Sequence, residues 1–275
     1  EFDISRRDTM LIAGPLHHGL GFGFALQQLY VGGRTVVLPA FDARAVVDTI
    51  AAERVTVLPA APTMLALMLD ELDAAGGDLS SLRSVISAGS PLSPAIKQRL
   101  LAAVPSLQLY EHYGATEAGF FTVLHPEDQL RKVRSCGVAF FGSAVRVLGD
   151  DGTDLPPGQI GLVYKRGLIQ GGGYADHPAA TAAMLRDGWA TVGDLGYLDE
   201  EGYLYLVDRK SDMIVSGGVN IYPAELEAEI AGVDSVAEVA VVGLPDPTWG
   251  EVVVAFVVPR PGAVVDPDAV VAACT

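Results

Sequence analysis

The chain has 275 residues, half of them apolar, and a formal net charge of −16. That apolar content excludes disorder and supports a sizeable core split over more than one domain, and the acidic balance argues against a nucleic-acid surface, which rests on clustered Lys and Arg. The two cysteines, Cys136 and Cys274, fit neither a zinc site nor a disulfide scaffold and point to a reducing cytoplasm. Apolar runs such as 252–258 have strand length and fall far short of a membrane span. No cationic segment with an apolar stretch opens the chain.

From about residue 34 the pattern alternates between strand and helix. Residues 34–39 read as a buried strand. Asp42 caps a helix over 42–54 that places Val46, Val47, Ile50 and Ala51 on one face. A strand over 55–59 leads to a helix over 63–72 with Met64, Leu65, Met68 and Leu72 apolar. Residues 82–89 read as a third strand, Ser93-Pro94 opens a third helix through Leu101, and 107–111 is a fourth strand. This rhythm predicts an α/β fold with a mostly parallel sheet flanked by helices. Over 135–208 short alternating runs are separated by turn signals, which predicts a small β-barrel-like subdomain whose strands include a single run over 188–198. A Pro-started helix over 222–232 and two apolar strands follow, and Asp266-Pro267 opens a last helix. The expected organisation is 1–134 as part of a large α/β domain, 135–208 as its β-rich subdomain and 209–275 as a small, incomplete α+β C-terminal domain.

In an open parallel sheet, ligands sit beyond the carboxyl ends of the strands. Two glycine-containing loops fall there, SAGSPL (87–92) and YGATE (113–117), and glycine lets a backbone approach a flat ring or a phosphate closely. Tyr113 offers an aromatic face and Glu117 a hard oxygen ligand. The competing reading makes both loops ordinary turns into capped helices, with Thr116 as N-cap and Glu117 in the first helical turn. His17 and His18, before Gly19, suit packing or capping as well as catalysis. Asp194, after Gly193, suits two ribose hydroxyls or simple turn formation. GGGY (171–174) reads as a flexible bend. The glycines at 19, 21 and 23 do not make a dinucleotide fingerprint, and no G-x-S-x-G elbow occurs.

The order PLHHG (15–19), SAGSPL, YGATE, TVGDLGYLDEEGYL (191–204) and DRKSDMIVSGGVNIYPAELE (208–227) resembles the adenylate-forming superfamily of acyl-CoA synthetases, firefly luciferases and peptide-synthetase adenylation domains. The resemblance runs through almost the whole chain. It implies a reaction in which a carboxylate attacks the α-phosphate of ATP to give an acyl-adenylate and pyrophosphate, after which a thiol, usually that of coenzyme A, displaces AMP. It places Gly89, Ser90 and Pro91 on one face of adenine and Tyr113, with Gly114, on the other, and sets Glu111 and His112 at the adenine edge. Thr116 would hydrogen-bond phosphate oxygens, Glu117 would ligate Mg2+, Asp194 would bind the ribose hydroxyls and Arg209 would reach ribose or phosphate. His18 would border the acyl pocket, Ser216, Gly217 and Gly218 would line the pantetheine tunnel, and Ser211 would sit at a hinge where the family often carries Asp or Lys.

Two family features are missing from the sequence: the Ser/Thr/Gly-rich phosphate loop with its lysine, and the lysine near the family's C-terminus. None of Lys97, Lys132, Lys165 or Lys210 replaces them by motif. The resemblance therefore implies a fragment of an ATP-, Mg2+- and coenzyme A-dependent acid–thiol ligase, deficient in adenylation by itself, with a fatty acid as the default substrate. An adenylation domain loading a carrier protein and a non-catalytic nucleotide-binding remnant are the alternatives.

Overall fold

The computed structural model describes residues 1–274. These fall into two compact units, the first made of Glu1–Arg146, Tyr164–Val192 and Leu198–Tyr205, the second of Val147–Val163, Gly193–Tyr197 and the residues from Leu206 onward.

The first unit holds a seven-stranded sheet. Its strands are β1 (Thr9–Ile12), β2 (Arg34–Val37), β3 (Val57–Ala60), β4 (Ser84–Ala88), β5 (Gln108–Ala115), β6 (Gly119–Leu124) and β7 (Val138–Ala139). They lie in the order β2-β1-β3-β4-β5-β6-β7. The first five strands in that order are parallel, and β6 and β7 are antiparallel to their neighbours. Every residue of β3 and β4 is buried, as expected of parallel strands covered on both faces. One face packs on α2 (Ala43–Glu53), α3 (Pro62–Ala75) and α4 (Pro94–Ala103) through Val46, Ile50, Leu65, Met68 and Leu100, which meet Leu11, Leu58 and Val85 from the sheet. The other face packs Met10, Ile12, Val57 and Ile86 against Phe24 and Ala25 of α1 (Gly19–Tyr30). Asp42 caps α2 by accepting from Ala45 N at 2.7 Å, and Ser93 caps α4 by accepting from Ile96 N at 3.3 Å.

Two elements depart from the sequence expectation. Helix α1 was not expected, since three glycines within five residues lower helix propensity. Its buried residues Gly21, Phe24, Ala25 and Gln28 nevertheless follow helical spacing, and a Cβ at Gly21 would lie 2.7 Å from the Pro15 carbonyl oxygen. The YGATE segment is not the start of a helix. Strand β5 runs on to Ala115, residues 116–118 turn, and β6 returns antiparallel with Ala115 opposite Gly119. Gly119 has φ +73°, which a side chain would strain, and a Cβ at Gly114 would lie 2.6 Å from the Gly119 carbonyl oxygen, so the tight hairpin depends on both glycines.

Downstream lie β8 (Ser143–Leu148), β9 (Gly161–Gly167), α5 (Pro178–Met184), β10 (Leu185–Arg186), β11 (Trp189–Ala190), β12 (Asp194–Leu198) and β13 (Leu204–Arg209). In the first unit β10 pairs with β11, and Ala190 of β11 pairs with Lys165 of β9. In the second unit Leu195 and Gly196 of β12 pair with Leu162 and Gly161. The single strand expected over 188–198 is therefore two strands, broken before Asp194 by Gly193 at φ +87°.

The second unit's own sheet has the order β15-β14-β17-β16, with β14 at Ile214–Ser216, β15 at Val219–Ile221, β16 at Val236–Asp246 and β17 at Gly250–Pro259. Helices α6 (Pro223–Ile230) and α7 (Pro267–Ala273) close a small core of Ile214, Ile230, Val236, Val241 and Val270. Asp208 accepts from Ala224 N at 3.0 Å at the start of α6, and Asp266 caps α7 by accepting from Asp268 N. The architecture is thus α/β, a parallel-rich sheet flanked by helices with additional antiparallel sheets. Among the described residues no helix is long and apolar enough to cross a membrane.

Candidate active site

The two glycine-containing loops leave neighbouring parallel strands. Ser87 and Ala88 of β4 stand in register with Glu111 and His112 of β5, so SAGSPL and the β5–β6 hairpin emerge side by side at the carboxyl edge of the sheet. Gly89 has φ +98°, and a Cβ built there meets no described atom within 4 Å, which leaves an open backbone surface. Helix α1 starts at the same edge: a Cβ at Gly19 would lie 3.7 Å from Thr116 Oγ1. His18 stands at its N-cap in an extended conformation, and among the described residues no side chain caps the helix's first N–H groups. Those groups and the helix dipole favour an anion. The exposed Thr116 hydroxyl and Glu117 carboxylate sit on the turn beside them.

Glu117 is a single exposed carboxylate. Among the described residues no group of three His, Cys, Asp or Glu side chains could hold an ion by itself. Such a carboxylate could hold Mg2+ only in part, as that ion is commonly held by one or two carboxylates together with substrate phosphates. Tyr174 donates a 3.4 Å hydrogen bond to Glu117 Oε1.

The remaining site candidates of the first unit have more occupied surroundings. The Glu111 carboxylate pairs with Lys97 Nζ, whose side chain is 1% exposed, and its other oxygen accepts from Leu92 N at 3.2 Å. Burial raises the Glu111 pKa and the Lys97 charge opposes the rise. His112 lies among Phe2, Phe24 and Phe120, with ring centroids 6.2, 5.9 and 4.8 Å away. Tyr113 is half-buried, 4.8 Å from the Phe121 ring. The exposed ring of His18 lies 4.4 Å from that of His17. Two buried lysines carry structural roles that motif spacing did not reveal. Lys97 is buried in α4, and Lys165 is 0% exposed in β9. The available signal was the alternation in VYKRG (163–167), which sets Lys165 on the same strand face as Val163 and so asks for a buried partner.

Burial pushes the His112 pKa down to about 4, so the imidazole is neutral at physiological pH. A folded-state pKa below the unfolded value contributes stability that is complete above pH 6.5 and is lost as pH falls toward 4. Replacing His112 with Phe is expected to flatten that part of the pH–stability curve by at most about 3 kcal/mol. Urea denaturation of the two proteins at pH 7 and pH 5 measures it; parallel curves contradict the assignment.

In the second unit Asp194 is buried at the start of β12, and Arg209 Nε lies 3.4 Å from its Oδ1. Lys210 N donates to Gly193 O at 2.8 Å, and Lys210 Nζ lies 3.1 Å from Asp150. Ser211 is exposed and donates to Asp212 Oδ1 at 2.9 Å. Ser216, Gly217 and Gly218 form the hairpin between β14 and β15, with both glycines at positive φ. Gly217 N donates to Trp249 O at 2.8 Å, and a Cβ on Gly217 would lie 2.8 Å from the Trp249 ring.

Residues 1–175 match the AMP-binding enzyme family, and residues 225–275 match the AMP-binding enzyme C-terminal domain. The chain therefore belongs to the AMP-binding enzyme family, within the adenylate-forming superfamily. It is 40% identical to a feruloyl-CoA synthase of an Amycolatopsis species over 99% of its own length and 55% of the relative's. It is 41% identical to an indoleacetate–CoA ligase of Aromatoleum aromaticum, over 96% of its length and 52% of the relative's. Against the long-chain-fatty-acid–CoA ligase FadD13 of Mycobacterium tuberculosis the identity is 38%, over 93% and 50%. Among solved structures, the o-succinylbenzoate coenzyme A synthetase MenE of Bacillus subtilis, in complex with ATP and magnesium ion, superposes with a TM-score of 0.89 at 32% identity, covering 99% of this chain and 55% of that one. The chain thus spans about half the length of the curated relatives it matches.

Proposed function

We propose that this chain forms part of an AMP-forming acid–thiol ligase that activates a hydrophobic carboxylic acid with ATP and passes the acyl group to coenzyme A. The observation that carries the reading is the Thr116–Glu117 turn set beside the uncapped start of α1, at the sheet edge where SAGSPL also emerges. Gly89, Ser90 and Pro91 would take one face of adenine and Tyr113, with Gly114, the other. The Glu111 carboxylate already has partners, so its part in this reading is to hold the two loops together, with His112 packed behind them. Thr116 and the first N–H groups of α1 would bind phosphate oxygens. Glu117 would hold Mg2+, whose charge offsets that developing on the α-phosphate. His18 would border the acyl group. Asp194, oriented by Arg209, would accept the ribose hydroxyls. The hairpin of Ser216, Gly217 and Gly218 would flank the pantetheine arm, and Ser211 would serve as the hinge.

A fatty acid is the substrate we propose. An aromatic acid is the second reading, favoured by relatives named for ferulate and indoleacetate. Coenzyme A-dependent AMP release by the full-length protein, measured over straight-chain, aryl and arylalkyl acids, separates the two. Turnover highest on straight-chain acids supports the first, turnover highest on aryl acids supports the second, and no AMP release with any acid overturns both. Residues 1–275 alone, without the phosphate loop and the C-terminal lysine of the family, are proposed to adenylate poorly. Robust ATP–pyrophosphate exchange by that polypeptide contradicts this part of the reading.

A further inference from the structure

The segment that leaves β9 packs closely on the Thr116–Glu117 turn. A Cβ on Gly171 would lie 2.0 Å from the Glu117 carbonyl oxygen, and one on Gly119 would lie 2.6 Å from the Ile169 carbonyl oxygen. The two backbones therefore touch, and each contact is possible only because one partner has no side chain. Beside these contacts the Ala118 carbonyl oxygen of the turn and the Ile169 carbonyl oxygen of the segment converge on one donor. Lys165 supplies that donor. Its Nζ donates to Ala118 O at 2.7 Å and to Ile169 O, one acceptor on each segment. Lys165 is fully buried, and among the described residues no carboxylate acts on it. A buried ammonium without a counter-ion is costly and persists only where its hydrogen bonds are well made. At the far end of the same segment Tyr174 donates to Glu117 Oε1 at 3.4 Å, so the segment meets this turn at its backbone and at its carboxylate.

We propose that Lys165 and Tyr174 are positioning residues for the metal-holding turn: Lys165 fixes the backbone of residues 116–119, and Tyr174 aims the Glu117 carboxylate. GGGY, read from sequence as a flexible bend, becomes in this account the seat of that turn. The inference rests on the reading of Glu117 as the Mg2+ carboxylate.

The test uses the full-length protein with Lys165→Met, Tyr174→Phe and Glu117→Gln. Amide hydrogen exchange in the absence of metal reads the backbone clamp directly. In Lys165→Met, exchange over 115–120 is expected to quicken about tenfold while exchange in β4 stays unchanged, because only the turn is released. In Tyr174→Phe the exchange pattern is expected to stay as in the parent, while half-saturating Mg2+ for ATP binding rises about tenfold and AMP affinity is unchanged. A merely structural tyrosine would not separate Mg2+ demand from AMP affinity. Parent-like exchange in Lys165→Met overturns the clamp, and a parent-like Mg2+ midpoint in Tyr174→Phe overturns the aiming role. If Lys165→Met does not fold, Lys165→Gln, which keeps a donor but withdraws it, takes its place in the exchange measurement, and parent-like exchange over 115–120 in it again overturns the clamp. If Glu117→Gln leaves the Mg2+ midpoint unmoved, the metal assignment of Glu117 fails and Tyr174 has nothing to aim, whereas the exchange result still judges Lys165 separately.

Discussion

The Lys97→Met variant of the full-length protein is expected to lose about 3–5 kcal/mol of stability, the usual consequence of removing one partner from a buried ion pair. Lys97 and Glu111 are buried together, and Glu111 also receives the Leu92 N–H. Without the ammonium, the carboxylate has only that one hydrogen bond against its desolvation. The Glu111 pKa, already raised by burial, then rises further. A folded pKa raised above the unfolded value means that stability falls as pH rises through it, so the gap between variant and parent is expected to widen from pH 5 to pH 8. The double variant Lys97→Met with Glu111→Leu removes both charges at similar volume and is expected to regain most of the loss. Urea denaturation of the parent, Lys97→Met, Glu111→Leu and the double variant closes the cycle; a Lys97→Met loss below about 0.5 kcal/mol would make the pair inconsequential for stability. The cycle also bears on function. Leu92 ends SAGSPL and Glu111 stands on β5, so loosening the pair should weaken AMP binding in the single variant, and hydrophobic replacement should restore fold more fully than affinity.

The parallel half of the fold was legible because buried strands such as β3 and β4 are short apolar runs, and because α2 carries its apolar residues on one face behind an Asp42 cap. Helix α1 was not legible. Its glycines oppose helix formation locally, and the reason for Gly21, the nearness of the Pro15 carbonyl, exists only after folding. The β5–β6 hairpin was hidden for a related reason. Thr116 and Glu117 form a good helix-start pair, and only the antiparallel pairing of Ala115 with Gly119 decides against it. Pattern reading finds a buried position but not the partner that a charge at that position needs. The three charged groups that matter most here, Lys97, Lys165 and Arg209, each meet an acceptor far along the chain, 14, 47 and 15 positions away, although Lys165 also reaches Ile169 O four positions on. The family motifs located the loops of the candidate site because those loops are local. The supports beneath them are not local, and spacing is silent about them.

For Glu117→Gln, the acid- and ATP-dependent half-reaction of the full-length protein is expected to slow about 10²–10³-fold, the range seen when a group that stabilises developing transition-state charge is removed. Glutamine keeps the volume and an oxygen that can accept from Tyr174, so the turn keeps its place and the measured loss reports the missing charge. Thr116→Ala removes one neutral donor on the same turn and is expected to cost about tenfold, in line with a single hydrogen bond. ATP–pyrophosphate exchange measures both. Thioester formation from a supplied acyl-adenylate serves as the internal control, because pyrophosphate has already left and little charge remains for the metal to offset. That step is expected to stay within about threefold of the parent in Glu117→Gln. Equal losses in both half-reactions would make Glu117 a structural residue of the hairpin, whereas parent-like exchange would move the metal elsewhere. Glu117→Asp distinguishes charge from reach: it restores the charge but withdraws it by one methylene from Tyr174. If Tyr174 aims the carboxylate, aspartate should recover only part of the exchange activity, and adding Tyr174→Phe to it should cost little more, since the contact is already broken.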